Sequence, residues 1–527
     1  MSSPPLQYRA ARESSNPIVN RGKRRGSSIC GHLPMVTRES FTIQRLTQDA
    51  AEHDTALRRR SPCRSTGATL PPALKRLSSG VDRTARPRNI AAMPSTTWGY
   101  RAGLRLGTAL VPSLGLLSAK IHAATRARRD AGERLLDWAR SSRDDARPLV
   151  WFHAASVGEG LQADSVIRRL RRLRPDCQLI YTHFSPSAAS LAARLTVDVA
   201  DYLPYDLPEN ADRLLSALQP NVLVFAKLDL WPELSTRAST TGTEVAIVAA
   251  TVSRGSGRLR WPARTLLTPG YRAVAAAAAI SADDAHRLSR LGVSAERIRV
   301  LGDPRFDSVL ERVAAVDPSD VLLGFGHGAP TMVAGSTWPA DEEVLLRAFA
   351  NVRRQRGDAR LILVPHEPGE AHLNAIQGAV ARLGLAPAVS LDAAGSQTPL
   401  LLVDRVGVLA TLYGSGTMAY VGGGFGRAGL HSVLEPAAWS IPVVFGPRWR
   451  NSRDAELLLQ AGAAASLPAG STRRSAEMLE KQWSDWMTNE AGRRDQGRRA
   501  RRVVESGMGA AEKSAEMLVE LLQPARG

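Results

Sequence analysis

The sequence alternates repeatedly between short apolar segments of strand length and longer segments of helix length. The apolar segment at 148–152 precedes a helical stretch at 160–173, and the segment at 178–182 precedes another at 185–195. Because strands that alternate with helices form parallel β-α-β units, this pattern predicts a doubly wound parallel sheet. Further strands of the same sheet are predicted at 222–225, 244–248 and 273–280.

The same alternation starts again after Asp317 and predicts a second Rossmann-like unit. A chain of 527 residues is also longer than one hydrophobic core usually supports. We therefore expect domains at 131–316 and 317–495 that face each other across a cleft. Type B glycosyltransferases (GT-B) have this α/β architecture, and several synthetases and epimerases share it. The strands of the second unit are predicted at 331–334, 360–364, 399–403, 418–421 and 442–445.

Residues 1–92 differ in composition from the rest of the chain. They contain 17 basic and 6 acidic residues, and this excess of basic residues accounts for more than half of the formal net charge of +19. They show no sustained helical or strand periodicity, so a disordered basic extension is predicted, or a start assigned too far upstream with Met93 as the true start. The alternative is a nucleic-acid-binding tail, although we expect no nucleic acid partner.

An apolar segment follows, and residues 93–130 are predicted to form a membrane-associating helix. The charge-free run at 106–119 is 14 residues long and contains Pro112, whereas a helix that spans a bilayer needs about 20 apolar residues. Basic residues at 126, 128 and 129 follow it. An interfacial helix is therefore favoured over a spanning helix. The three cysteines have no paired motif, which favours a reducing compartment.

Glu159 is the first candidate for chemistry. It follows the first strand in the segment His153-Ala-Ala-Ser-Val-Gly-Glu159 and opens a helix, so it should lie at the carboxyl edge of the sheet, where α/β folds bind ligands. The helix dipole should favour its charged form and keep it available as a proton acceptor. The alternative role is that of a helix-start carboxylate that accepts from backbone amides.

The second unit carries the motif G-x-G-x-x-G at 424–429, without the acidic residue that a dinucleotide site has about 20 positions later. This loop is predicted to cradle a phosphate or carboxylate, or to be a structural turn. Glu435 is a candidate for binding the two hydroxyls of a ribose, with capping or a salt bridge as the alternative. No histidine spacing or Asp-x-Asp pair indicates a metal, so no cofactor and a metal-independent reaction are expected.

Several motifs in one order resemble the bacterial 3-deoxy-D-manno-octulosonic acid (Kdo) transferases, and the resemblance runs from about residue 98 to residue 522. Any one of these motifs alone is weak evidence for the family, but so many matches in one order are hard to obtain by chance. They lie at 153–159 (HAASVGE), 202–206 (YLPYD), 229–232 (DLWP), 302–307 (GDPRFD), 334–337 (AGST), 421–424 (VGGG), 431–436 (HSVLEP) and 445–447 (FGP).

The resemblance implies an inverting, metal-independent transfer of Kdo from CMP-Kdo to a lipid A precursor, lipid IVA. It implies Glu159 as the proton acceptor, with Arg305 and Lys227 as the groups that stabilise the transition state. It also implies a location at the cytoplasmic face of the inner membrane, in contact with its phospholipid surface. The implied CMP contacts are Pro365, His366, Val406, Gly407, Val408, Ser432, Val433, Leu434 and Glu435.

The sequence departs from the family pattern at two of these positions. Lys227 replaces a glutamate, and His366 replaces an arginine that would bind phosphate more reliably near neutral pH. Two alternative functions stay open: a GT-B enzyme that uses another nucleotide sugar, and a non-catalytic membrane- or nucleic-acid-binding protein. By analogy with the fold, the last segment, 496–527, is expected to be a helix that crosses back onto the first domain.

Overall fold

The structure is a computed structural model that describes residues 98–523, except 118, 327, 396, 427 and 428, and over 110–124 it describes the backbone alone. The expectations for residues 1–92, and for the first residues of the membrane-associating segment, lie outside the described residues.

The described chain begins with helices α1 (Trp98–Leu117) and α2 (Ala119–Ser142). Helix α1 continues through position 112, where the sequence has a proline. Its first turns are fixed to the first half of the protein, because the Tyr100 hydroxyl donates to Asp206 at 2.7 Å and Arg101 Nε donates to Glu233 at 3.0 Å. Among the described residues, no helix combines the length and the apolar character that a membrane crossing requires.

The first half is built on a parallel sheet of seven strands in the order β3-β2-β1-β4-β5-β6-β7. Its central strands are buried along their whole length, as expected for a sheet that helices cover on both faces. The strands are β1 (Leu149–His153), β2 (Gln178–His183), β3 (Val199–Tyr202), β4 (Val222–Ala226), β5 (Glu244–Ala250), β6 (Val274–Ala279) and β7 (Ile298–Val300). The helices are α3 (Val157–Leu173), α4 (Ala189–Ala192), α5 (Pro208–Leu218), α6 (Pro232–Thr240), α7 (Ala263–Arg272) and α8 (Ala282–Leu291), followed by α9 (Pro304–Ala314).

The second half repeats this architecture with a parallel sheet in the order β10-β11-β9-β8-β12-β13-β14. The predicted α/β fold with two doubly wound sheets is confirmed. The strands are β8 (Thr331–Thr337), β9 (Arg360–Pro365), β10 (Val389–Ser390), β11 (Leu400–Leu402), β12 (Met418–Val421), β13 (Val443–Phe445) and β14 (Ala464–Ser466). The helices are α10 (Pro339–Gln355), α11 (Glu370–Arg382), α12 (Leu409–Leu412), α13 (Leu434–Ala438), α14 (Arg453–Gln460), α15 (Thr472–Thr488), α16 (Glu490–Ser506) and α17 (Ala510–Leu522).

Helix α17 returns to the first half and packs in its core, where Ala511, Ala515 and Leu518 are buried with the residues of β1 and α3. The carboxylate of Asp307, on α9, accepts from the backbone amides of Gly509 at 2.8 Å and Ala511 at 3.0 Å. These amides lie at the start of α17, where a helix offers no backbone carbonyl to accept their hydrogen bonds. Asp307 therefore fixes the point at which the chain turns back.

Candidate functional site

Glu159 lies at the carboxyl edge of the first sheet, in the first turn of α3. Its Oε2 atom accepts from the Ser156 amide at 3.2 Å and from the Ser156 hydroxyl at 3.0 Å, which is a capping box. Burial raises the pKa of the Glu159 carboxyl, the charge of Asp229 raises it further, and Lys227 and Ser156 oppose this. The helix dipole alone predicts a carboxylate that is easily ionised, but burial outweighs it. A raised pKa brings the carboxyl closer to the range of a general base.

Asp229 is a second carboxylate at this edge, and it was not assigned a role from the sequence. Its Oδ2 atom lies 3.5 Å from Nε2 of the fully buried His153, and the Trp231 indole donates to the same oxygen at 3.3 Å. Burial opposes ionisation of Asp229, but His153 and Trp231 outweigh it, so the pKa falls below the ordinary value. The signal in the sequence was an acidic residue two positions before a tryptophan, directly after a strand.

Lys227 is the first residue after β4, and it adopts a left-handed conformation with φ of 61°. A residue other than glycine seldom adopts this conformation, and such strained residues concentrate at functional sites. Its amide donates to Val248 O at 2.8 Å, which anchors the backbone while the side chain is exposed. The ammonium charge lowers the pKa of Glu159, so the structure brings together two of the predicted catalytic residues.

Arg305 lies in a different place, in an ion-pair cluster between the halves. Its guanidinium donates to Asp303 at 2.9 and 2.7 Å and lies 2.9 Å from Asp454 of α14. Both carboxylates are buried, and Gln162 also donates to Asp303, at 3.3 Å. The charge of Arg305 is thus already neutralised by two carboxylates, which leaves less of it for a ligand than the sequence suggested.

In the second half, three rings meet at the carboxyl ends of β8, β9 and β12. The Trp338 indole donates to Nε2 of His431 at 3.0 Å, and the planes of these two rings are nearly parallel, with 12° between them. The exposed His366 ring lies over both, with its centroid 4.9 Å from Trp338 and 4.4 Å from His431. Burial, with the charge of His366 as a second cause, lowers the pKa of His431 to about 4. His431 is therefore neutral near pH 7.

The glycine-rich loop after β12 is closely packed against backbone. A Cβ atom at Gly423 would lie 2.1 Å from Gly429 O, and one at Gly424 would lie 2.6 Å from Gly446 N. The Gly423 amide also donates to the buried Asp341 at 2.9 Å. These contacts give the glycines a structural reason, which was one of the two predicted roles. Positions 427 and 428 of the motif lie outside the described residues.

The remaining predicted CMP contacts lie at the same edge of the second sheet, on loops and in the first two residues of α13. Val406 is exposed and Gly407 has φ of 93°. Val433 and Leu434 are fully buried in the core, whereas Ser432 before them is exposed. Helix α13, which begins at Leu434, has five residues, so its N-terminal dipole is weak.

Glu435, the predicted ribose ligand, forms an ion pair with Arg312 of α9 at 3.0 Å. The alternative of a salt bridge is therefore present, and it orients the carboxylate. Among the described residues, no three His, Cys, Asp or Glu side chains form a group that could hold a metal ion.

Comparison with known proteins gives a consistent result. A family model described as 3-deoxy-D-manno-octulosonic-acid transferase (kdotransferase) matches residues 129–308. A 3-deoxy-D-manno-octulosonic acid transferase of Haemophilus influenzae is 25% identical over 382 residues, which cover 71% of this chain and 86% of the relative. One of Chlamydophila psittaci is 29% identical over 336 residues, which cover 61% of this chain and 74% of the relative.

The solved structure of a UDP-GlcNAc 2-epimerase of Neisseria meningitidis superposes with a TM-score of 0.50 and 11% identity, and covers 71% of this chain and 99% of the epimerase. This likeness concerns the fold alone. It places the two facing Rossmann-like halves in the GT-B class of architectures.

Proposed function

We propose that this chain is a Kdo transferase and that it transfers Kdo from CMP-Kdo to lipid IVA, with inversion and without a metal ion. Its relatives are glycosyltransferases named for Kdo transfer. The observation that carries the proposal is the pairing of Glu159, whose pKa is raised, with an ionised Asp229 and the Lys227 ammonium at one sheet edge.

Glu159 acts as the general base in this mechanism. It takes the proton of the acceptor hydroxyl, whose oxygen attacks the anomeric carbon of Kdo and expels CMP from the opposite face. Asp229 supports this step, because a fixed negative charge nearby raises the proton affinity of Glu159. Lys227 has the opposite effect on Glu159, and its exposed ammonium is available to the carboxylate of the incoming Kdo.

The donor binds to the second half, where Pro365 and His366, the loop 406–408 and residues 432–435 line the edge of the sheet. Glu435 accepts hydrogen bonds from the ribose hydroxyls, while Arg312 holds its other side. Val433 and Leu434 are fully buried, so Ser432 and Glu435 are the groups of this segment that reach the donor. Arg305 contributes to charge stabilisation only if CMP departure loosens its contact with Asp454.

The lipid acceptor requires access to a membrane, and we assign that contact to the surface around the start of α1. Trp98 and Trp261 are each 83% exposed, and Leu106 is 65% exposed. A Cβ atom at Gly99 would lie 3.5 Å from Leu266, so α1 begins against α7, close to Trp261 in sequence. Exposed tryptophans beside basic residues suit an anionic membrane interface, which supports a location at the cytoplasmic face of the inner membrane.

A transfer assay tests the proposed function. The full chain is incubated with CMP-Kdo and lipid IVA in detergent and EDTA, beside Glu159→Gln and, as a matched carboxylate control, Glu367→Gln. We expect product from the parent and the control, and at least about 10²-fold less from Glu159→Gln, as for loss of a general base. Absence of product from the folded parent would refute Kdo transfer, and a panel of other nucleotide sugars would then test the alternative. Dependence on an added divalent ion would refute the metal-independent mechanism.

A further inference from the structure

Arg128, on α2, is a buried cation that forms no ion pair with any described carboxylate. Its side chain is 8% exposed, although the sequence pattern suggested a basic residue that faces lipid headgroups. Its guanidinium lies 3.9 Å above the ring of Phe184 and 5.7 Å from that of Tyr205, and one nitrogen donates to Phe184 O at 2.9 Å. No described carboxylate forms an ion pair with it, and its Nε atom is buried without a hydrogen-bond partner.

The neighbouring carboxylate is occupied elsewhere. Asp201, on β3, accepts two hydrogen bonds from Arg134, at 2.7 and 2.8 Å. A buried guanidinium that lacks an anion is costly, and stacking on aromatic rings offsets only part of this cost. Such a group is therefore most stable when an anion binds to it, and guanidinium matches a phosphate in shape and charge.

The location of Arg128 connects it to the proposed acceptor site. Phe184, which it covers, follows β2, and the Phe184 and Ser185 amides approach Ala155 O at 3.4 and 2.8 Å. Ala155 directly precedes Ser156, which caps the start of α3 and donates a hydrogen bond to Glu159. The ring of Phe184 also lies 5.1 Å from that of Trp231, which donates to Asp229. Arg128 thus lies in the same wall of the cleft as the proposed base.

We propose that Arg128 is the binding site for a phosphate ester of the acceptor's sugar head group, in the wall of the first half that also carries Glu159. The inference rests on the proposed function, because it assumes a phosphorylated sugar acceptor. The site orients the acceptor by its phosphate so that the reacting hydroxyl reaches Glu159. It also lies in the first half, so it does not take part in CMP binding.

The test compares acceptors with and without phosphate, using the full chain, Arg128→Gln and the control Arg134→Gln on the same helix. Arg128→Gln should raise KM for the phosphorylated acceptor at least about tenfold, as for loss of a charge-assisted hydrogen bond. It should leave KM for CMP-Kdo unchanged and have no effect on the phosphate-free acceptor. Arg134→Gln should behave as the parent. An equal effect on both acceptors would overturn the proposal while Kdo transfer stands.

A second measurement does not depend on transfer or on the folding of one variant. Inorganic phosphate should raise the Tm of the parent and of Arg134→Gln, but not of Arg128→Met, whose side chain still covers Phe184. An equal rise in all three proteins would overturn the site. Equal binding of the parent and Arg128→Gln to phosphatidylglycerol vesicles is expected, whereas selective loss in Arg128→Gln would assign the anion to a phospholipid headgroup and overturn the acceptor role.

Discussion

The indole nitrogen of Trp338 donates a hydrogen bond to Nε2 of His431, and the planes of the two rings are nearly parallel. An indole can only donate, so Nε2 of His431 must be an acceptor, and a neutral imidazole then carries its proton on Nδ1. Trp338 therefore decides which nitrogen of His431 is available as a donor at the edge of the second sheet. Neither partner was identified from the sequence as part of this pair.

The first prediction concerns the pH dependence of stability at His431. Its folded pKa, about 4, lies below the ordinary value of 6.5, so the unfolded chain binds the proton more readily. The stability is thus complete above pH 6.5 and is lost as the pH falls towards 4. The free energy of unfolding of the parent should fall by about 2 kcal/mol over this window because of His431, allowing for partial exposure. This part of the fall should be absent in His431→Gln. Urea unfolding at pH 7 and pH 4.5 measures the difference, and equal slopes for parent and variant would contradict it.

The second prediction separates the hydrogen bond of Trp338 from its stacking. Trp338→Phe keeps a ring under His366 but removes the N–H group that donates to His431. KM for CMP-Kdo should therefore rise about threefold to tenfold. Trp439→Phe is the matched control, because it also removes an indole donor in the same half, to Ala410 O at 2.7 Å. An unchanged donor KM in Trp338→Phe would show that the tautomer of His431 is not used.

The third prediction concerns the opposite effects of Asp229 and Lys227 on Glu159. Asp229 raises the pKa of Glu159 and Lys227 lowers it. The base must be ionised, so the acid limb of the kcat/KM profile should move to lower pH in Asp229→Asn and to higher pH in Lys227→Met. If the acid limb moved in the same direction in both variants, Glu159 would not be the titrating group.

The fourth prediction concerns the ion-pair cluster of Arg305. Arg305→Met leaves the buried Asp303 and Asp454 without their cation, which should lower the free energy of unfolding by about 2–4 kcal/mol. Burial already raises the pKa of Asp454, and the charge of Arg305 lowers it. Loss of Arg305 should therefore raise the pKa of Asp454 further. The folded variant then binds a proton more readily than the unfolded chain, so its deficit should shrink as the pH falls. A deficit that grows at low pH would be inconsistent with this arrangement.

The fifth prediction concerns Asp307 and the returning helix. Asp307→Ala leaves two amides at the start of α17 without an acceptor and should cost about 1–3 kcal/mol. Hydrogen exchange should show α17 opening before the rest of the first half. Asp317→Ala, a change at a surface turn nearby in sequence, should leave exchange in α17 unaltered.

The sequence by itself determined the two sheets, because their central strands are continuous apolar runs whose burial does not depend on distant partners. β1, β4, β9 and β12 lie within one or two residues of their predicted positions. It also placed Glu159 at the sheet edge, since the order of a strand, a turn and a helix is local. The edge strands β3, β7, β10 and β14 were missed, because they are short and partly exposed and form only by pairing with a neighbour.

Only the tertiary structure decided which side chains meet and with what charge. Asp229 and His153 lie 76 positions apart in the chain, and Trp338 and His431 lie 93 apart, so no local pattern indicates their contacts. Burial raised the pKa of Glu159, opposite to the direction expected from its helix dipole, and the neighbouring Asp303 together with the distant Asp454 neutralised Arg305. It also hid Arg128 from solvent without giving it a carboxylate partner among the described residues. Desolvation and ion pairing depend on the whole surroundings of a group, and folding alone brings those surroundings together.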